Sequence, residues 1–225
     1  MDIEALSNKN RRAIFERLRS GLKRTDEITG SETPVPPGPP AHPNPEPDGD
    51  LFPYFREAAI RIGGNVVQLE GWKKIPLHVA GILREKCEPM KVALGADETI
   101  RSLPWKEAGI EVCDDLEIES GQAGVSRGIC AVAETGSVVF FSGIENPTRI
   151  TFLVKYHFVV LSPDEIVPYL EDVWSILRRR FGNGRWPRAV NFVNGPSATA
   201  DVEAILTVGA HGPCYFEVLF ADRAN

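Results

Sequence analysis

Hydrophobic positions recur at helical spacing near the start of the chain. Ile3, Leu6, Ile14, Phe15, Leu18 and Leu22 sit among charged residues, with Ile14, Leu18 and Leu22 on one stripe. This pattern predicts an amphipathic arm over residues 1–30 whose apolar stripe must cover its own core or a partner subunit. Residues 31–50 hold eight prolines in twenty positions. Proline fixes φ and removes a donor, so that stretch is expected to be an extended linker. From Leu51 the period changes repeatedly. "FPYFREAAIRIGG" reads as a helix stopped by Gly63 and Gly64, and "NVVQLE" as a strand. "IPLHVAGILREKC" and "KVALG" repeat that pair, and a broken helix "DETIRSLPWKEAG" precedes "IEVCD".

Short apolar strands separated by short helices point to a sheet covered on both faces. In the middle, "ICAVA" and "SVVFF" flank Glu134, Thr135 and Gly136, which predicts a hairpin inside the α/β frame. "HFVVLS", "RAVNFV" and "YFEVLF" supply further strands. Ser162-Pro163-Asp164-Glu165 has the form of a capping box, and Ile166, Leu170, Val173, Leu177 and Phe181 form a helical stripe ending at Gly182. Pro168 falls inside that stripe, where a slight bend is expected. Residues 51–225 therefore read as one α/β domain with a mixed sheet. Ligands of such sheets usually sit outside the carboxyl ends of the strands. Three polar turns are expected there: Glu134 to Ser137, Gly143 to Arg149, and Asn194 to Asp201.

Composition narrows the function. The net charge of −6 argues against broad attraction to nucleic acid. No apolar run approaches the ~18 residues of a membrane span, and the N-terminus lacks the apolar core of a secretory signal, so a cytoplasmic location is expected. Cys87, Cys113, Cys130 and Cys214 lie far apart with no CxxC pair, so no zinc or iron–sulfur ligand set is expected, and their apolar neighbours suggest buried thiols. GxGxxG and GxxxxGK[ST] are missing.

The polar corners carry the candidate chemistry. Glu134 is either a nucleophile or general base, or a solvated turn residue. Arg149 could clamp a carboxylate through two hydrogen bonds, and His157, just before a buried strand, could exchange protons near neutral pH. In "NGPSATADVEAILTVGAHGP", Thr199 makes an N-cap with Asp201 and Glu203 in the first turn, while Gly195, Pro196 and Ser197 bring free backbone N–H groups to a strand end. Ser197 and His211 have the best claim to ligand contact. A metal held by Asp201, Glu203 and His211 is disfavoured, because positions two apart on a helix do not share a face.

Three stretches, "GVSRGICAVAETGSVVF", "PTRITFLVKYHFVVL" and "NGPSATADVEAILTVGAHGPCYFEVLFAD", resemble the LUD-domain family over roughly residues 51–225. The resemblance implies a three-layer α/β/α sandwich similar to the NagB/RpiA/CoA-transferase group. It also implies a three-component system that oxidises L-lactate to pyruvate, in which two partner subunits carry iron–sulfur clusters and this chain binds no cofactor. Family motif residues here include Glu134, Thr135, Gly136, Arg149, His157, Gly195, Pro196, Ser197, Thr199, Asp201, Glu203, His211 and Gly212. Ser137, beside the first motif, joins the expected substrate-binding set. In the subunit reading Arg149 binds the lactate carboxylate and His157 or His211 takes the hydroxyl proton. Two alternatives stay open: an acyl- or CoA-transferase-like enzyme with Glu134 as nucleophile, and a non-catalytic scaffold. A homo-oligomer also stays open.

Overall fold

A computed structural model describes residues 13–17, 49–114, 122–182, 186–199, 207–209 and 211–222, without the side chains of Thr199 and Thr207. Two units separate, Met1–Ala41 and His42–Asn225. In the first, residues 13–17 are helical and expose Ile14 and Phe15. The rest of the expected arm, and the proline-rich segment up to residue 48, lie outside the described residues.

The second unit is built on a parallel sheet. Helix α1 (Phe52–Arg61) has Pro53 in its first turn and buries Phe55, Ala58 and Ala59, spaced three and four apart. Strand β1 (Asn65–Leu69) follows, then a turn of 3₁₀ helix (Trp72–Lys74) and α2 (Ile75–Glu85). Strand β2 (Lys91–Leu94) leads to α3 (Glu98–Arg101), whose first amides are capped by the Asp97 carboxylate at 2.9 Å and 3.1 Å. Strands β3 (Glu111–Asp114) and β4 (Ala123–Arg127) come next, then the hairpin β5 (Cys130–Val132) and β6 (Ser137–Phe141). Helix α4 (Thr148–Leu153) returns the chain to β7 (Tyr156–Leu161). The remaining elements are β8 (Ile166–Val167), α5 (Leu170–Phe181), β9 (Val190–Val193), β10 (Ala198–Thr199), β11 (Thr207–Val208) and β12 (Tyr215–Ala221).

Six strands form the main sheet in the order β1-β12-β7-β4-β2-β3, and every pairing in it is parallel. The mixed strand directions reside in a second sheet, β8-β5-β6-β9, and β10 pairs with β11 alone. On one face of the main sheet, Ile75, Val79 and Leu83 of α2 pack on Val125, Phe158, Val160 and Leu219. The other face meets α1 and the second sheet, where Phe55, Val138 and Phe140 pack on Val159, Phe216 and Phe220. The outer face of the second sheet is closed by Val173 and Leu177 of α5. Each fully buried phenylalanine stabilises by about 1.5–3 kcal/mol. Among the described residues no helix is long and apolar enough to cross a membrane.

Two local expectations are corrected. The box at Ser162 caps one turn of 3₁₀ helix, Pro163–Glu165, with the Glu165 carboxylate accepting the Ser162 amide at 2.8 Å. Ile166 and Val167 then leave the helical stripe to pair with Ala131 and Val132, and α5 starts only at Leu170. Pro168 is the reason: it lacks an amide and disfavours a helical residue before it, so buried strand pairing wins. The thiols also differ from expectation. Cys113 and Cys130 are buried, whereas Cys87 is exposed and Cys214 partly so. Burial pushes the Cys130 thiol up to about 12.

His157 belongs to the core. It is the second residue of β7, fully buried, between Phe140 (ring centroids 5.6 Å) and Phe216 (5.5 Å). Its Nε2 lies 2.9 Å from Ser126 Oγ, and its Nδ1 has no hydrogen-bond partner among the described residues. Desolvation lowers its pKa to about 3.

Two predictions follow from this frame. Cys87 has φ of 55°, the left-handed position of a Schellman motif: its amide donates to Arg84 O and that of Glu88 to Leu83 O. Cys87→Gly should raise stability by about 0.5–1 kcal/mol and shift the urea midpoint upward, whereas Cys87→Ala, which keeps the strain, should not. His157 binds a proton when unfolded near pH 6.5 but not when folded until about pH 3. Its contribution is complete above pH 6.5 and is lost below it at about 1.4 kcal/mol per pH unit. Urea unfolding at pH 7.5 and 5 should show a smaller pH difference for His157→Gln than for the parent chain; equal differences would refute the assignment.

Candidate functional site

The glycine-bearing motifs meet at the amino ends of β1 and β12, not at the carboxyl ends of the sheet. Gly64 precedes β1, and Pro213 shortly precedes β12. Between them runs the segment from Asn194 to Ser197. Gly195 has φ of 82°, and a Cβ there would stand 2.9 Å from Ile62 O. Gly136, with φ of 68°, sits so close to α1 that a Cβ would be 2.4 Å from Ala59 N. Both positions need glycine for shape and for contact. The Ser197 amide donates to Pro213 O at 2.8 Å, and the Gly209 amide to Ser197 O at 2.8 Å. A Cβ at Gly212 would lie 3.2 Å from the Ser197 Cβ and 3.7 Å from Phe152 O, so the end of α4 borders the same corner.

Several expected site residues come together here. Thr135 Oγ1 and Ser137 Oγ are 2.6 Å apart, and Asn194 Nδ2 donates to Thr135 O at 3.4 Å. Ser137 is buried, Thr135 and Ser197 are partly exposed, and His211 is exposed on the loop before β12. Glu134 is exposed at the tip of the β5–β6 hairpin, its amide donating to Pro168 O at 3.1 Å. Arg149 is exposed on α4, three residues before Phe152 and therefore on the same face. Thr199 lies in β10, paired with Thr207. Asp201, Glu203 and the helix expected around them lie outside the described residues.

The structure separates other residues from this corner. His157 is inside the core, not ahead of the strand. The Ser197 amide is already bonded to Pro213, so it is not one of the free N–H groups expected there. The turn from Gly143 to Asn146 is at the opposite end of β6 from the Glu134 turn. A five-residue strand separates the two by about 17 Å. That turn packs on the carboxyl end of β2, where the Ala96 amide donates to Ile144 O at 2.9 Å. The carboxyl ends of β4 and β7 are tied by Arg127, which donates to Gly128 O and Val160 O, pairs with Glu165 and lies over Trp72. A partly buried ion pair thus occupies the carboxyl ends of these two strands, where a ligand was expected.

Sequence reasoning missed a polar network on the opposite face of the main sheet. Glu217, on β12, is buried and faces His78 Nε2 at 2.9 Å, while the Tyr215 hydroxyl donates to its other oxygen at 3.0 Å. Burial and the Glu217 carboxylate raise the Tyr215 pKa. Nearby, Glu88 pairs with Lys155 and accepts from the Tyr156 hydroxyl at 3.0 Å. The hydrogen bond with Lys155 lowers the Glu88 pKa and raises that of Lys155. The available signal was a lone glutamate inside "YFEVLF" and a lone histidine inside "IPLHVAGIL". An ion does not fit the cysteines: they lie on four separate parts of the fold, and no group of three or more His, Cys, Asp or Glu side chains among the described residues could hold a metal.

With this geometry in place, likeness to known proteins is informative. Residues 57–221 match the LUD domain. The chain is 34% identical over 120 residues to lactate utilization protein C of Halalkalibacterium halodurans, covering 48% of this chain and 52% of that protein. It is 31% identical over 105 residues to the Shouchella clausii protein of the same name, covering 45% and 46%. The chain thus aligns with about half the length of these relatives. A crystal structure of a DUF162 family protein from Deinococcus radiodurans superposes with a TM-score of 0.54 at 16% identity, over 76% of this chain and 96% of that one, which shows a shared fold. The chain belongs to the LUD-domain family.

Proposed function

We propose that this chain is the cluster-free component of a lactate-utilisation system, acting in the cytoplasm with partner subunits that carry iron–sulfur clusters. The observation that carries the reading is the convergence of two family motifs, Thr135-Gly136-Ser137 and Asn194 to Ser197, on one corner beside Pro213. Relatives named lactate utilization protein C support the choice of L-lactate as substrate.

In this reading Arg149 holds the lactate carboxylate and Ser197 bonds the hydroxyl. His211, exposed on the adjoining loop, accepts the hydroxyl proton. Oxidation to pyruvate releases two electrons and two protons. One proton goes to His211, and the electrons with the C2 proton go to an acceptor on the partner. Thr199, Asp201 and Glu203 belong to the same motif and complete the proposed set. The corner has an apolar rim: Phe152, Leu153 and Val208 are 45%, 52% and 48% exposed. Clustered exposed apolar side chains suit a docking face, which would bring a partner's redox centre to the substrate.

The test is purification of the tagged chain from its native cells, with iron content and dye-linked lactate oxidation measured. Iron and activity should co-purify and disappear together when partners are removed. Arg149→Ala should raise the KM for lactate on the order of 10- to 100-fold with assembly retained. His211→Ala should lower kcat with assembly retained. Lactate oxidation by the isolated chain would overturn the subunit reading.

A further inference from the structure

The His78–Glu217–Tyr215 network lies on the α2 face of the main sheet, across the sheet from the α1 face that carries the proposed lactate corner, and nothing in that reading uses it. A carboxylate within a strand of the main sheet is costly unless hydrogen-bonded. Glu217 meets that cost with two bonds, one to the Tyr215 hydroxyl and one to the His78 ring. Its side chain is 4% exposed, whereas that of His78 is 22% exposed. One end of the network is thus sealed and the other open.

The direction of the bonds defines the open end. The Tyr215 O–H donates to one Glu217 oxygen, and the other oxygen accepts from His78 Nε2–H. An ionised carboxylate only accepts, so this bond uses a proton on Nε2. In the neutral imidazole the lone pair is then at Nδ1, to which no bond occurs among the described residues. A histidine oriented by a buried carboxylate is arranged to accept a proton at its far nitrogen, because the carboxylate stabilises the imidazolium that forms.

The surroundings leave room for a ligand. Asn65, exposed on the edge strand β1, is in register with Glu217 on the neighbouring strand, about 4.8 Å away. A Cβ at Gly81, one turn beyond His78 on α2, would meet nothing within 4 Å. Lys74 stands four residues before His78, on the same side of the helix and exposed.

We propose that His78, oriented by Glu217 and Tyr215, forms a second site where α2 passes the edge strand, and that this site takes a small hydroxyl-bearing molecule through His78 Nδ1. The ligand hydroxyl donates a hydrogen bond to Nδ1, and no covalent bond forms or breaks. No electron leaves the ligand. A hydroxy acid would add an ion pair with Lys74, and a neutral polyol would use Asn65 instead.

The experiment records the ring ¹⁵N shifts of His78 in the full chain at pH 7.5, assigned with His78→Gln, during titration with L-lactate, glycerol and pyruvate. A saturable shift at Nδ1 with lactate or glycerol, weaker by at least 10-fold with pyruvate, supports the site; lactate alone identifies the acid form and glycerol the neutral one. Glu217→Gln should weaken the response at least 10-fold, and Tyr215→Phe several-fold. Should Glu217→Gln fail to fold, Tyr215→Phe carries the same comparison, because it removes one hydroxyl and leaves the carboxylate paired with His78. No shift with either hydroxyl compound, an equal shift with pyruvate, or a response unchanged in the folded variants would overturn the proposal. The outcome is independent of the lactate corner, since Arg149→Ala should leave the His78 response unaltered.

Discussion

A parallel sheet cannot leave a face in water, and that constraint organises the whole domain. Each of its strands carries apolar side chains on both sides, so each face needs a cover. Helix α2 covers one side, while α1 and the second sheet cover the other. The second sheet then has an apolar outer face of its own, which α5 closes. The layers follow from burial, and the polar groups are placed wherever those layers leave an edge. The motif corner forms where α1 ends and β12 begins; the His78–Glu217 network lies where α2 passes the edge strand.

Much of this was legible in the chain. Apolar runs such as "HFVVLS" and the stripe of Ile75, Val79 and Leu83 gave strands and helices near their observed places, because burial on a period of two or 3.6 leaves a direct trace. The closing motif, GPSxTADxE followed by GxHGP, was expected at the carboxyl ends of the strands, whereas its residues Ser197, Gly209 and Pro213 meet just ahead of the amino end of β12. What misled was geometry that no local pattern encodes. Val167 reads as part of a helical stripe, yet its partner is Val132, and only the sheet's register reveals that. The turns at Glu134 and at Gly143 were both expected at the carboxyl ends of the strands, but β6 runs between them and carries them to opposite ends. His157 reads as a proton carrier, yet its strand is central, with β12 on one side and β4 on the other.

Polar residues inside the frame divide into two kinds. Arg127, Glu165 and Trp72 form a closed set at the carboxyl ends, with the guanidinium donating to two carbonyls as well as pairing with Glu165. Such a set fixes a loop and leaves nothing for a ligand. The Glu217 set has an unused acceptor at its solvent end. Burial alone does not separate these cases; the count of unsatisfied atoms does.

The position of β12 has a consequence for how the chain comes to be folded. It pairs with β1 on one side and β7 on the other, although it follows β7 by roughly 50 residues and β1 by far more. A ribosome adding about 5–20 residues per second needs several seconds to synthesise that interval. Throughout it, β1 and β7 both offer unpaired edges to any extended segment nearby. Nascent chains of this topology therefore spend their most vulnerable moments waiting for a central strand, and crowded synthesis on one message is where illegitimate pairing between copies would begin.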